Sequence, residues 1–391
     1  MNTTILNKEV QDFINANLKS NITKLILKGS PFVEIRMHEL AAQIEAKKKC
    51  EHKLPTWFKT ENIYYPTKLN IEQTSSEITA KYKADLVSGN SLIDITGGFG
   101  VDTYYFSQKV KKITHCEINK ELSVIVSHNL KQLNIENIKT VDSDGIEVLK
   151  NNSTKYDWIY ADPSRRNDLK GKVFLLEDCL PNIPENIDLL FQKSKNILLK
   201  ISPILDITSA INELKFVKEI HIVAIENEVK ELLFILERNY NQTIDINTIN
   251  FDKKEIQTFK FTTKQKVFAT FSKPKKYLYE PNVAILKSGG FNQVSSILRI
   301  DKLRQHSHLY TSEKLVKFPG RRFEIKHKIP YNTKQLKKLI PSKKANITTR
   351  NFPETVAQIR KKTKLKEGGN QYLFFTTDLY NKHIVLICEK V

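Results

Sequence analysis

A chain of 391 residues with 40% hydrophobic content is long enough for two or three cores, and it holds no run of about eighteen apolar residues that would cross a membrane. The N-terminus MNTTILNKEV lacks the basic and apolar regions of a signal peptide, so a soluble, cytoplasmic protein without a membrane partner is expected. The net charge of +20 is confined: residues 1–263 carry 35 Lys+Arg against 35 Asp+Glu, and residues 264–391 carry 28 against 8. A local excess with arginines and aromatics among the lysines is the footprint of a polyanion-binding surface and points to nucleic acid. Cys50, Cys116, Cys179 and Cys388 stand far apart with no CxxC pair, which indicates buried thiols and neither a disulfide framework nor a zinc site.

In chain order, Val10, Phe13, Ile14 and Leu18 recur at helical spacing, followed by Leu25 and Ile26. Pro31 starts a second helix through Phe32, Ile35, Leu40 and Ile44, closed by Lys47, Lys48 and Lys49 at its dipole-negative end. This small helical domain, residues 1–68, shows no chemistry of its own. Trp57, Phe58, Tyr64 and Tyr65 lie in a loop leading out of it and are expected to pack between two domains. In IEQTSSEITAKYKADL, residues 71–86, Ser75 or Ser76 caps a helix whose apolar side includes Ile78, Tyr82 and Leu86. An element placed there covers the turn that follows, so Gln73, Thr74 and Ser76 are candidates for ligand contact.

The stretch SLIDITGGFGVD, Ser91 to Asp102, is a short β-type run carrying Asp94 that ends in Gly97, Gly98 and Gly100, with a helix from Asp102 to Val110. Strand, glycine turn and helix N-terminus in succession let backbone N–H groups approach a ligand. An acid inside the strand end suits an ammonium better than a phosphate, which favours S-adenosylmethionine over a dinucleotide. KITHCE ends in Glu117, 23 residues after Asp94, near the interval of about 20 at which an acid reaches ribose hydroxyls. Ile138 to Val141 runs into Asp142 and Asp144, of which Asp144 is favoured as acceptor for an adenine amino group. YDWIYA runs into Asp162, Pro163, Ser164, Arg165 and Arg166, and ILLKI, residues 197–201, is a fifth buried strand.

Strands alternating with helices imply an α/β, Rossmann-like parallel sheet with its ligand at the carboxyl ends, where Asp94, Gly97, Glu117, Asp144 and Asp162 all fall. Glu219 to Ile225 and Glu231 to Leu236 complete it as a hairpin, a helix for the second segment staying open. Beyond Lys264 the pattern fits two small α+β units, with helices through Val294 to Leu298, Leu336 to Ile340 and Pro353 to Lys362 and a basic run Arg321, Arg322, Lys326, Lys328. His306 and His308 lack a partner at ligand spacing, so no metal is expected.

DITGGFGVD, Glu117, Asp144 and Asp162-Pro163-Ser164-Arg165 resemble, in order, the four motifs of class I S-adenosylmethionine-dependent methyltransferases. The fourth corresponds to the (D/N)PP(Y/F/W) box of N-methyltransferases. With EQTSSEITAKYKA and ITTRNFPETVAQIRKK…GGNQYLFFTT, the chain resembles the bacterial THUMP-like-domain methyltransferases, related to the trimethylguanosine synthase type. The resemblance implies a methyltransferase domain over 69–273, a ferredoxin-like α+β segment over 274–324 and a THUMP-like domain over 325–391. It implies cofactor contacts at Asp94, Thr96, Gly97, Gly98, Gly100, Asp102, Glu117 and Asp144, and catalytic roles at Asp162, Pro163, Ser164 and Arg165. RNA is the substrate class it implies, tRNA or rRNA methylated at a base nitrogen, with Gln73, Ser76, Arg166, Arg321 and Arg322 on the substrate side. Ser164 stands where the box has a second proline and Arg165 where it has an aromatic. Arg165 and Arg166 either grip a phosphate or pair with Asp168, Glu177 or Asp178. The rival functions are an RNA-binding protein with a silent methyltransferase core, and a methyltransferase of DNA or protein.

Overall fold

The computed structural model describes residues 1–165, 175–263 and 267–391. The chain divides into two compact units, one of Met1–Lys218 with Leu233–Asn241, the other of Glu219–Leu232 with Gln242–Val391.

In the first unit, the helices Lys8–Ala16, Ile22–Leu27 and Met37–Lys53 bury Ile5, Val10, Ile14, Leu25, Ile35, Leu40 and Ile44 against one another. The helix expected from Pro31 begins only at Met37. Ser30 holds the backbone of Phe32 in a turn through both N–H and C=O, and Phe32 meets Phe13 edge-on at 5.6 Å. The Glu39 carboxylate accepts the Arg36 N–H at 3.1 Å and so fixes the later start. Trp57 is 1% exposed and packs on Phe99, Tyr104 and Tyr105; it lies not in the expected loop but on a short helix, Pro55–Lys59, which the proline starts.

Five parallel strands follow: β1 (Gly89–Asp94), β2 (Val110–Cys116), β3 (Ile138–Val141), β4 (Tyr156–Ala161) and β5 (Ser194–Ile201), in the sheet order β5-β4-β1-β2-β3. The apolar runs of β1, β4 and β5 are almost wholly buried, as strands covered on both faces must be. Asp94 pairs with His115 on one side and Tyr160 on the other, so the glycine turn leaves the sheet between the ends of β2 and β4. The helix after β1 spans Val101–Phe106, shorter than expected.

The segment 71–86 contains two helices, Lys68–Gln73 and Glu77–Ala84. The second turns inward not the expected apolar side but Glu77, Thr79, Ala80 and Lys83, while Ile78 is 44% exposed. Polar partners across the interface cause this: Glu77 accepts from the Tyr105 hydroxyl at 2.7 Å, and Lys83 pairs with Asp102 at 3.1 Å.

The strands β6 (Val217–Ile225) and β7 (Glu228–Glu237) form the hairpin, and the segment left open between strand and helix is strand. Glu226 and Asn227 both take positive φ, which suits the right-handed twist of a two-residue hairpin. In the second unit, β8 (Asp245–Phe251) runs parallel to β6, and β9 (Ile256–Thr262) antiparallel to β8. The strands β10 (Tyr277–Pro281), β11 (Asp301–Lys302), β12 (Tyr310–Ser312), β13 (Gly320–Pro330), β14 (Asn346–Arg350), β15 (Gln371–Thr377) and β16 (His383–Lys390) form one sheet in the order β11-β12-β10-β13-β16-β15-β14. The two α+β patterns read beyond Lys264 therefore share a sheet. Helices lie over Val283–Ser288, Phe291–Leu298, Thr333–Leu339 and Val356–Thr363.

Candidate active site

The glycine turn is squeezed from beneath. A Cβ on Gly97 would stand 2.3 Å from His115 Cε1 and 2.8 Å from the Cys116 carbonyl oxygen, which already accepts the Gly97 N–H at 2.8 Å. Only glycine brings the backbone this close to β2. Gly100 starts the following helix with φ of +77°, a conformation that costs glycine nothing.

Asp94 supports the turn from inside. Its Oδ1 accepts the Thr96 N–H at 3.0 Å and the Thr96 hydroxyl at 3.3 Å, and its Oδ2 accepts the Thr103 hydroxyl at 2.7 Å. Thr103 in turn lies 3.0 Å from His115 Nδ1. Burial pushes the Asp94 carboxyl up to about 7, against the pull of Thr103 and Thr96, and pushes the His115 imidazole down to about 4. A carboxyl whose folded pKa exceeds its ordinary 3.8 binds its proton more tightly in the fold. Its contribution to stability is complete below that value and is lost as the pH rises toward 7. The unfolding free energy, measured by urea titration, should therefore fall more steeply between pH 4 and 7 in the wild type than in Asp94→Asn. Parallel curves would mean that Asp94 keeps an ordinary carboxyl.

Asp102, on the helix after the turn, is held by Ser75 at 2.9 Å, by the Tyr160 hydroxyl at 2.7 Å and by Lys83. Burial alone would raise its carboxyl, but the Lys83 and Lys200 ammoniums with the two hydroxyl donors outweigh it and keep it below the usual range. Lys83, Tyr160 and Lys200 did not stand out in the sequence, because each occupies an unremarked helix or strand position and meets its partner only in the fold; Ser75, read as one of two cap candidates, instead donates to Asp102, and Ser76 is the cap.

Around the turn, Glu117 accepts the Gly98 N–H through Oε2 and the Asn119 N–H through Oε1, both at 2.7 Å. Asp144 caps the helix Gly145–Asn151, its Oδ1 accepting from Ile146 at 2.7 Å and Glu147 at 3.2 Å, while Asp142 is exposed. The Asp162 N–H donates to the Thr96 hydroxyl at 2.7 Å, so Thr96 ties the end of β4 to the turn after β1. Asp162 Oδ2 pairs with Lys200. Pro163 is buried, Ser164 is exposed, and Ser164–Arg165 forms a short antiparallel ladder with Cys179–Leu180. The Arg165 side chain, Arg166 and Asp168 lie outside the described residues.

Hydrogen bonds thus join Asp94, Thr96 and Asp162, join Gly98 to Glu117, and join Asp102 to the segment before β1. Gln73 is exposed at a helix end, and Ser76 serves as the N-cap of Glu77–Ala84, its oxygen accepting the Thr79 N–H. Arg321 and Arg322 belong to β13 in the second unit, where Arg321 Nε donates to the buried Glu280 at 2.6 Å. His308 stacks on Phe291 at 3.6 Å.

Residues 277–319 match a ferredoxin-like domain family, and residues 320–390 match the THUMP domain-like family. All of the chain aligns with 99% of a "putative methyltransferase" of known crystal structure from Porphyromonas gingivalis W83, at 31% identity and a TM-score of 0.88. A curated relative, an uncharacterized RNA methyltransferase of Mycoplasma mobile, is 26% identical over 154 residues, which are 38% of this chain and 42% of that protein. Another, the "Probable cobalt-precorrin-6B C(15)-methyltransferase (decarboxylating)" of Methanobrevibacter smithii, is 28% identical over 71 residues, 18% of this chain and 38% of its own length. The chain therefore spans about two-fifths of the length of these curated relatives. The end-to-end likeness to the P. gingivalis protein, with the two C-terminal matches, shows that this chain belongs to the methyltransferases whose parallel sheet is followed by a ferredoxin-like and a THUMP-like segment.

Proposed function

We propose that the chain is an S-adenosylmethionine-dependent methyltransferase acting on a base nitrogen of tRNA or rRNA, and that its basic C-terminal region holds that RNA. The observation that carries this is the row of acids, Glu117, Asp144 and Asp162, at the carboxyl ends of β2, β3 and β4 around the turn at Gly97 and Gly98. Ligands of such sheets bind at those ends.

The donor set fits the cofactor. Gly98 leaves the outer face of the turn open, since a Cβ there would meet nothing nearer than the Thr96 carbonyl oxygen at 3.9 Å. Glu117 supplies acceptors for ribose hydroxyls, and Asp144 keeps Oδ2 beyond its capping oxygen for an adenine amino group. Asp94, Thr96, Gly97, Gly100 and Asp102 shape the pocket from beneath. When bound, S-adenosylmethionine brings a sulfonium-activated methyl group. The chain supplies alignment, a source of about 7 to 11 kcal/mol in well-oriented reactions. Asp162 accepts the hydrogens of an exocyclic amine and turns its lone pair toward the methyl, with Pro163 fixing the backbone beside it.

RNA as acceptor rests on the charge of residues 264–391 and on the name borne by the Mycoplasma relative. A target base in a single strand or loop is reached without unstacking a duplex. The decisive experiment follows label from methyl-labelled S-adenosylmethionine into RNA, DNA and protein fractions. Label in RNA is expected; label only in DNA or protein overturns the RNA assignment, and cofactor binding without label means a silent core.

The charge assignment has its own test. Deleting residues 325–391 would remove β14, β15 and β16 from their sheet, so surface substitutions are cleaner. Replacing the exposed Lys328, Lys334, Lys338 and Lys361 with alanine should flatten the slope of log K against log salt for RNA binding by about 3. An unchanged slope would remove these lysines from the RNA surface.

A further inference from the structure

We propose that Lys200 is a positioning residue for methyl transfer, holding one oxygen of Asp162 so that the other is presented to the group being methylated. This rests on the methyl-transfer reading above and adds a residue to that site.

β4 and β5 are parallel neighbours with Ala161 opposite Leu199, so Asp162 and Lys200 spring from adjacent strand ends. The Lys200 ammonium pairs with Asp162 Oδ2; the two side chains are 13% and 34% exposed. Lys200 interrupts the apolar run at the end of β5, where Ile197, Leu198, Leu199 and Ile201 are at most 1% exposed. Withdrawing an ammonium from water at such a place is costly unless a carboxylate compensates it. The same ammonium acts on Asp102, which Lys83 also faces, so two lysines and two aspartates stand together behind the glycine turn.

Asp162 is held at two points. Its N–H is fixed on the Thr96 hydroxyl and its Oδ2 on Lys200, while Oδ1 receives no hydrogen bond from any described residue. A carboxylate anchored by one oxygen offers the other in a set direction, which is what orienting an acceptor amine requires. The amine nitrogen bonds to the methyl carbon as the C–S bond breaks, with the electron pair of that bond left on sulfur. The nitrogen, now positive, gives one proton to Oδ1, from which it passes to water.

The test uses the full chain with Lys200→Met and Lys200→Arg, on whichever fraction the wild type labels. Lys200→Met should lower kcat between about 10-fold and 10²-fold, with the acceptor KM and the cofactor Kd changed less than about twofold. Lys200→Arg should recover most of the loss, and both variants should keep the wild-type far-UV circular dichroism and cofactor binding. A Lys200→Met enzyme within twofold of wild-type kcat overturns the proposal, as does a loss that appears equally in cofactor affinity or is not rescued by arginine. If the wild type labels DNA or protein alone, the RNA assignment falls and Lys200 is judged on that acceptor. Label in no fraction overturns both.

Discussion

Asp162→Ala is expected to reduce kcat for methyl transfer between about 10²-fold and 10³-fold while leaving the affinity for S-adenosylmethionine within about twofold. The substitution removes the oxygen presented to the acceptor, the oxygen held by Lys200, and the charge that would stabilise a nitrogen becoming positive. It leaves the backbone where Thr96 holds it, because the Asp162 N–H donates to the Thr96 hydroxyl without help from the side chain. Asp162→Asn separates two contributions. Its amide carbonyl still accepts a hydrogen bond, so a variant that keeps most of the activity would show that orientation matters more than charge, and one as poor as alanine would show the reverse. Single-turnover methyl transfer with calorimetric cofactor titration reads both quantities. Unchanged turnover in the alanine variant would take the catalytic role away from Asp162.

The order of strands and the acids at their ends were legible in the sequence, because both are local. An apolar run that ends in an acid or a glycine cluster announces its own boundary, as at Asp94, Asp144 and Asp162. What was not legible depends on partners far away in the chain. Lys83 reads as a surface position of a short helix until Ser75 and Asp102 surround it, and Lys200 reads as a flaw in ILLKI until Asp162, 38 residues earlier, takes its charge. Ser76 reads equally as cap or contact, and the Thr79 N–H occupies its oxygen as a cap. At Pro31 a favourable helix start was overridden by the Ser30 turn and the contact of Phe32 with Phe13. Glu280 gives no local sign of burial beside Pro281, yet it lies at the end of β10 and is only 3% exposed, its carboxylate taken up by arginines far along the chain.

Replacing that carboxylate is expected to have the largest effect on the second unit. Glu280 accepts from Arg321 Nε at 2.6 Å through Oε2 and from Arg350 Nη2 at 2.9 Å through Oε1. Arg321 lies on β13, beside β10, and Arg350 ends β14, so one acid ties the segment matching the ferredoxin-like family to the one matching the THUMP-like family. Glu280→Ala leaves two guanidiniums near each other with no counter-charge. Breaking a buried ion pair costs about 3 to 5 kcal/mol. Because the arginine side chains are 40% and 31% exposed and regain some water, the lower end, about 3 kcal/mol, is expected. Amide hydrogen exchange should then speed up by about 10²-fold in β10 and β14 and stay unchanged in β1 to β5. Glu280→Gln, which keeps the volume and one acceptor, should fall between. Unaltered exchange in β10 would show that the pairs add nothing to the fold. Because Glu280 cancels one of the two arginine charges, its loss makes the surface more positive, so RNA affinity at low salt should hold even as the sheet weakens; a fall in affinity would mean that this surface binds RNA through its shape more than through its charge.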